Sequence, residues 1–546
     1  MALLAILGSC GVSGSIRDRP DISAYNARIP ERVQTSDSSF TLGTNSLAKN
    51  RQGQWELYVS GDPLERGLIT GALTQELFQY QEAIFLSKVG ELVPSKLKRS
   101  LLRKFLAWYN RKMYLNIPEE YKAEIYGISR FASDDHNYIA PPYLRALYLH
   151  GAHDIGHALQ DLALVGCSSF AVWGDRSADG GLLIGRNFDF YAGDDFAKNK
   201  IISFVDPTEG HKFMSVTWGG MMGVVSGMNE HGLTATINAG KSKIPLVAKT
   251  PISIVTREIL QYATTLEEAI AIAKKRQVFV SESIMVGSAK DQRAVVIEVS
   301  PDNFGVYDVP NSTQLVCSNH FQSTAYENDR NNLKHRLESH SQYRYERMEE
   351  LLGAHDKWTP EDAVGLLRNR EGLGGTDIGL GNEKSLNQLL AHHGIVFKPG
   401  QRLVWVSANP YQLGEFVAYD LKKIFADSIG PGPKKWLSSP SKNIEKDHFL
   451  DTPAYDNYEK YRKMEEEIKR AVIGTKDLPV SFINEFKALN PEYWETPYWI
   501  GRYYYGKKYY LAAHNAFTEA GKKEITTVPQ QVEIQRYIQK LKRKLK

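Results

Sequence analysis

Residues 165–190 read VGCSSFAVWGDRSADGGLLIGRNFDF, and the fold turns on them. Upstream, from Pro63 to about Leu162, apolar residues recur at helical spacing, with small residues along one face of 63–84 and a break at Pro141-Pro142. At Cys167 the period changes. Residues 168–173 and 182–190 are short apolar, aromatic and β-branched runs bounded by Gly, Asp and Asn, the pattern of strands. A cysteine preceded by a glycine thus stands at a helix-to-strand switch.

The strand pattern continues downstream at 201–205, 213–218 and 232–239. Helical spacing over 251–276 predicts a helix pair. Strands return at 283–287, 294–299, 305–309 and 314–318; helices follow at 339–352 and 360–367, and strands at 395–397 and 403–407. Strands and helices in alternating blocks predict an α+β fold: two antiparallel sheets with helices on their outer faces. Outside this core, residues 11–50 are polar and read as a tether. The Pro-, Gly- and Ser-rich 429–450 reads as a linker, and 451–546 as a helical appendage. Within the appendage, 498–520 resembles a single tetratricopeptide-like hairpin, and the Lys-rich 540–546 is expected to be a solvated face.

The chain has 546 residues, 42% hydrophobic and 24% charged, enough to bury a large core. A net charge of +4 excludes nucleic acid as the main partner. No run approaches the ~18 apolar residues of a membrane-spanning helix. Residues 1–10 read MALLAILGSC, which resembles a bacterial lipoprotein signal with Cys10 as the lipidated residue, although no Lys or Arg precedes the apolar run. That reading places the protein in a bacterial cell envelope on a lipid anchor, facing the periplasm, and Gly11 after the cysteine favours the outer membrane. Two cysteines remain, Cys167 and Cys317. They could pair as a disulfide, or one could be reactive.

Four motifs follow one another: Gly166-Cys167-Ser168, then Gly185-Arg186-Asn187-Phe188-Asp189, then Met228-Asn229-Glu230-His231-Gly232-Leu233 ahead of Asn238, then Cys317-Ser318-Asn319-His320. A thiol at a chain terminus has a built-in base, its own α-amine, whose unperturbed pKa of ~7.7–8.0 lies near working pH. The amine exists only once the Gly166-Cys167 bond is broken, and glycine tolerates the strained backbone such a break needs.

The motif set resembles the cholylglycine hydrolase and penicillin V acylase superfamily of N-terminal-nucleophile hydrolases. It is most similar to the branch containing the acyl-coenzyme A:6-aminopenicillanate acyltransferases, peptidase family C45. The resemblance extends over roughly 54–425, through 56–72, 220–233 and 393–407. It implies a four-layer αββα sandwich, with residues 51–166 as a helical N-terminal prosegment and 167–428 as the catalytic core. It implies self-cleavage between Gly166 and Cys167, and hydrolysis or transfer of an amide's acyl group through a thioester at Cys167. It also implies that Asp189 holds the α-amine, Arg186 holds charge near the thiolate, Asn238 donates to the oxyanion and Asn319 is a second polar anchor. Arg344 is the expected further cleft arginine, with Arg347 nearly equivalent. Phe188, Phe190, Trp218 and Met221 would suit a hydrophobic acyl group, as would plain core packing. No metal or organic cofactor is needed. The expected partners are a small-molecule amide and, through Cys10, a membrane.

Three rival readings stay open. His150, His153 and His157 have metal-like helical spacing. Cys167 could pair with a histidine in a papain-like peptidase, with His320 or the upstream histidines as partner. The chain could also be a non-catalytic binding lipoprotein.

Overall fold

A computed structural model describes residues 11–151, 154, 166–190, 193–243, 247–426, 437–474 and 476–546. Cys10, His153 and His157 lie outside the described residues. No helix among the described residues is long and apolar enough to cross a membrane.

Two sheets carry the architecture. The larger contains β1 (Val33–Ser36), β2 (Ser39–Leu42), β3 (Asn45–Lys49), β4 (Trp55–Gly61), β7 (Ile201–Pro207), β8 (Phe213–Thr217), β9 (Ser226–Asn229), β10 (Leu233–Ala239), β11 (Glu282–Ser288), β12 (Arg293–Val299) and β13 (Phe304–Tyr307), in that spatial order. The smaller runs β14 (Gln314–Cys317), β5 (Ser168–Val172), β6 (Leu183–Phe188), β15 (His393–Lys398), β16 (Leu403–Ser407) and β17 (Phe416–Asp420). Their inner faces share one core, in which Phe204, Met214, Val216 and Val296 of the larger sheet meet Ile184, Ile395, Val404 and Val406 of the smaller. The outer face of the larger sheet is covered by helices that include Glu119–Ser129, Pro142–His150, Ile252–Tyr262 and Leu266–Lys275. Ser341–Gly353 and Pro360–Leu367 cover the outer face of the smaller. The result is the four-layer αββα order expected.

Because both faces of each sheet are covered, β5, β11 and β16 are buried at every position. Such strands lose the hydrophobic alternation of a half-exposed sheet and read as short apolar runs. Each buried aliphatic or aromatic side chain contributes about 1.5–3 kcal/mol, against about 1 kcal/mol net for a hydrogen bond. The layered cores therefore dominate the stability.

Four expectations are corrected. Residues 11–50 are not simply a polar tether: β1–β3 extend the larger sheet through two tight hairpins, the second turning at Gly43 with φ 61°. Two side chains, Phe40 and Leu47, anchor these otherwise polar strands in the core, too sparse a signal to stand out. The larger sheet is not wholly antiparallel, since β4 pairs β7 in parallel from Trp55 opposite Ile201 to Gly61 opposite Pro207. The 63–84 helix is two helices, Pro63–Leu73 and Gln75–Leu92, meeting at Thr74. The described part of 429–450 is a strap along β17: Phe416 and Ile444 exchange backbone hydrogen bonds at 2.9 and 3.0 Å, and Leu437 is buried between the sheets. This covers backbone edge groups that an open sheet would leave exposed.

The small face of Pro63–Leu73 has a packing purpose. Gly67 crosses helix Glu119–Ser129 so closely that a Cβ there would lie 2.1 Å from the Glu124 carbonyl oxygen. Glu124 beneath takes Arg66 at 2.8 Å and Arg257 at 3.1 Å, all three buried. This ion cluster and the β4–β7 pairing bind the chain before Cys167 to the chain after it.

At the C-terminus, Pro453–Ile473, Val480–Leu489, Glu495–Gly506, Tyr510–Ala520 and Val528–Leu545 share a core of their own, into which Leu389 and Leu413 reach from the sandwich. These helices grip the loop 379–389. Leu380 and Asn490 exchange hydrogen bonds at 3.1 and 2.8 Å, and the Asn382 amide donates to the Glu524 carbonyl at 2.9 Å. Gly379, with φ 81°, lies flush on the Tyr493 backbone, where a Cβ would come within 2.2 Å.

Candidate active site around Cys167

Cys167 immediately precedes β5, is 1% exposed, and lies where the ends of the two sheets meet. The β5–β6 pairing puts Arg186 opposite Ser169, diagonal to the cysteine. The Arg186 guanidinium is clamped by the larger sheet. Nη1 donates to the Val225 carbonyl at 3.0 Å and to the Ser226 hydroxyl, and Nη2 donates to the Ile237 carbonyl. The same Nη2 stands 3.6 Å from the Cys167 sulfur, and the Phe188 ring closes the other side at 4.4 Å. Burial raises the thiol pKa; Arg186 opposes that shift and the Asp189 carboxylate adds to it. In the intact chain the thiol is therefore held in its protonated, resting form.

Gly166 is held on both sides. The Gly166 N–H donates to the Asp189 carbonyl at 3.2 Å, and the Gly166 carbonyl accepts from Gln388 Nε2 at 3.3 Å. Beyond it, the Cys167 carbonyl accepts from Arg344 Nη1 at 2.6 Å. Arg344 lies on helix Ser341–Gly353, and it also donates to the Ser168 hydroxyl at 2.8 Å, to Asn319 Oδ1 at 2.6 Å and, through Nε, to His340 Nδ1 at 3.2 Å. Burial pulls its pKa down to about 10, with Asp189 pulling the other way. Arg347, one turn on, points elsewhere: it pairs with Glu350 and Glu371 at 2.9 and 3.1 Å. The helix thus offers Arg344 alone of the two to the site.

Asp189 is fully buried, yet neither carboxylate oxygen has a hydrogen-bond partner among the described residues. Desolvation pushes its pKa up to about 8, opposed by Arg344 and then Arg186. An unfolded aspartate titrates near ~3.9. Between these values the folded chain holds a proton that the unfolded chain has lost, so this group's contribution to stability is lost as pH rises from about 4 through 8. In the uncut Cys167→Ala protein, adding Asp189→Asn is expected to raise the melting temperature progressively more as pH rises from 5 to 9. A difference that stays constant across that range would contradict the assignment.

Asn238, near the end of β10, has its orientation fixed. Its Oδ1 accepts from the Ser169 hydroxyl at 2.8 Å, and its Nδ2 donates to the Cys317 and Ser318 carbonyls at 3.1 and 3.2 Å. In the uncut chain its donors therefore hold the end of β14. Asn319 joins the same network, donating to the Ala239 carbonyl at 2.9 Å while accepting from Arg344. The structure thus gathers Gly166, Cys167, Arg186, Asp189, Asn238, Asn319 and Arg344 at one place.

Several members were missed in the sequence. Glu282, opposite Ala239 in the sheet, acts electrostatically on both Cys167 and Arg186. Behind Arg186, the Ser226 hydroxyl contacts His393 Nε2 at 2.9 Å, and His393 Nδ1 contacts His392 Nδ1 at 2.9 Å. Burial lowers both histidine pKa values well below the usual range. A neutral pair fits this chain, with Ser226 donating to His393 and His393 donating to His392. The adjacent His392-His393 pair at a strand start was the signal available.

The rival residues are engaged elsewhere. Cys167 and Cys317 are both free thiols, and Cys317 packs between the sheets. His150 contacts the Ala146 carbonyl at 2.8 Å and accepts from the Met222 N–H at 3.0 Å. His320 meets the Ser341 hydroxyl at 2.9 Å. Among the described residues, His211, Glu230 and His231 bring possible metal-ligand atoms within 4.8 Å of one another. They sit on two hairpin turns at the end of β10 away from Asn238, about 20 Å along the strand at ~3.3 Å per residue.

Of the four aromatic and apolar residues expected to face an acyl group, Phe190, Trp218 and Met221 line a crevice with Phe85, Leu149 and Phe196. Phe188 lies beneath Arg186 instead. The crevice holds about 20 Å³ of free space, little more than one water.

Residues 176–378 match the sequence model of the acyl-coenzyme A:6-aminopenicillanic acid acyl-transferase family. The resemblance seen in the motifs is shown over this stretch, which contains Arg186, Asp189, Asn238, Asn319 and Arg344 and begins just after Cys167. An uncharacterised protein of Archaeoglobus fulgidus is 29% identical over 277 residues, 48% of this chain and 46% of that protein, so the match spans less than half of the relative's length. Similar solved structures include a Caenorhabditis elegans ortholog of N-acylethanolamine-hydrolyzing acid amidase, at 18% identity and TM-score 0.32, covering 43% of this chain and 93% of that one. A mutant conjugated bile acid hydrolase from Clostridium perfringens follows, at 14% identity and TM-score 0.32, covering 49% and 98%.

Proposed function

We propose, for a chain whose residues 176–378 carry that acyltransferase family's pattern, a self-processing enzyme that hydrolyses or transfers the acyl group of an amide through a thioester at Cys167. The observation that carries the reading is the buried Asp189 side chain beside Cys167, whose carboxylate oxygens have no hydrogen-bond partner among the described residues. An isolated buried carboxylate is costly unless a cation joins it. Cleavage of the Gly166-Cys167 peptide creates one, because the Cys167 nitrogen becomes an α-amine next to Asp189.

The same step turns on the nucleophile. The free amine takes the thiol proton, and Arg186, already aimed at the sulfur, stabilises the thiolate. The thiolate attacks the substrate carbonyl carbon, the C–N bond breaks, and the departing amine takes up a proton. Water or an acceptor amine then attacks the thioester and restores the thiol. The apolar lining of the narrow crevice beside Phe190, Trp218 and Met221 suits an apolar acyl group.

Purified protein is expected to give two masses, one ending at Gly166 and one beginning at Cys167. Both should co-elute as one native species, because the β4–β7 pairing and the Arg66–Glu124–Arg257 cluster bridge the cut. An active preparation lacking the Cys167 terminus would sink the reading.

A further inference from the structure

We infer that Gln388 is a catalytic residue of the self-cleavage, supplying the donor that stabilises the Gly166 oxyanion. The inference rests on Cys167 as the nucleophile of the proposed function. Self-cleavage needs the Cys167 sulfur to add to the Gly166 carbonyl carbon, placing negative charge on that carbonyl oxygen. The C–N bond then breaks, and the nitrogen takes up a proton to balance the one lost by the thiol. Water finally cleaves the thioester, leaving the Gly166 carboxylate, the Cys167 thiol and a free α-amine. An oxyanion in a buried site needs a preorganised donor.

The scissile oxygen accepts a bond from Gln388 Nε2 at 3.3 Å, and the side chain is buried. The other amides of the site are committed: Asn238 holds the Cys317 and Ser318 carbonyls, and Asn319 holds the Ala239 carbonyl. A bond of this length on the resting carbonyl can shorten as the oxygen gains charge.

Two features make the placement more than chance packing. First, the backbone around Gln388 is fixed from the active-site strand: Asn187, next to Arg186 in β6, donates to the Leu386 and Leu367 carbonyls at 2.9 and 2.8 Å. The Asn387 side chain in turn accepts from the Leu389 N–H at 3.0 Å, in a turn where Leu389 has φ 53°. The C-terminal helices hold the other end of the loop. Second, a Cβ at residue 166 would lie 2.2 Å from Gln388 Nε2. Glycine before the cysteine is therefore what lets the donor reach the carbonyl, a reason for Gly166 separate from backbone freedom.

The test is full-length cell-free synthesis with cleavage followed by gel. Gln388→Leu removes the donor at similar bulk, and Gln388→Glu keeps the shape while facing the carbonyl with an acceptor. Both are expected to cut about 100-fold or more slowly than wild type, the usual cost of one oxyanion donor. Gly166→Ala should slow cutting in the wild-type background and cost little more when added to Gln388→Leu, because it acts by displacing the same donor. Near-UV circular dichroism of the uncut chains checks that each variant folds; should the leucine variant not fold, the glutamate variant decides. Wild-type cutting rates in folded Gln388 variants, with Cys167→Ala still uncut, overturn Gln388 alone. Cutting in Cys167→Ala overturns the nucleophile and this inference with it.

Discussion

Cys167→Ala is expected to remain a single uncut chain with no turnover, while Cys317→Ala is expected to cut and to retain activity. The two thiols are both buried and near each other, so proximity does not separate them. Their surroundings do. Cys167 alone has a guanidinium 3.6 Å from its sulfur and a preceding glycine whose own N–H and carbonyl are both held. Cys317 faces the apolar core between the sheets, where burial drives its thiol pKa far up and the Ser318 carbonyl lies 3.6 Å from the sulfur. A thiol kept protonated there is a packing residue. Its replacement by alanine should cost on the order of 1 kcal/mol of buried contact and leave the fold intact. Gel analysis and intact mass read the outcome. Loss of processing in a folded Cys317→Ala protein would reverse the assignment.

Asn238→Ala, in the processed enzyme, is expected to lower kcat by about 100-fold or more with little change in KM. The uncut structure gives this side chain two donor bonds, to the Cys317 and Ser318 carbonyls, and one acceptor bond from Ser169. An amide pinned on three sides is rigid, which is the property an oxyanion donor needs, but acting as one requires a donor bond to be exchanged for the substrate oxygen. A rise in KM at unchanged kcat would show that Asn238 only shapes the cleft through β14, and the oxyanion role would then pass to Gln388 or a backbone amide.

The parts of this site that were legible in the sequence share a property: they sit in or beside strands whose pattern switches abruptly at Cys167. Arg186 and Asp189 could be read through the resemblance that their motif carries, and the β5–β6 pairing then brings Arg186 to the cysteine. Arg344 and Arg347 could not be separated by sequence, since both lie on one helix one turn apart, and only the packing of that helix decides which enters. Gln388 was out of reach for a different reason. It reaches Gly166 across some two hundred residues of chain, from a loop without periodicity. β1–β3 were passed over because a peripheral hairpin needs few apolar anchors, and β17 because FVAYD is too short and mixed to stand out.

The grip of the C-terminal helices on loop 379–389 has a consequence for timing. Asn490, Tyr493 and Glu524, which hold that loop, are translated after every residue that the site itself uses. As the chain emerges, Gly166 and Cys167 are made early and β6 soon follows; Asn187 of β6 can then hold one end of the loop that brings an amide to the Gly166 carbonyl, but its other end is not braced until the last helices have docked. On the proposed self-cleavage, the Gly166-Cys167 bond would be cut only after these helices dock, when the β4–β7 pairing and the Arg66–Glu124–Arg257 cluster already join the two halves.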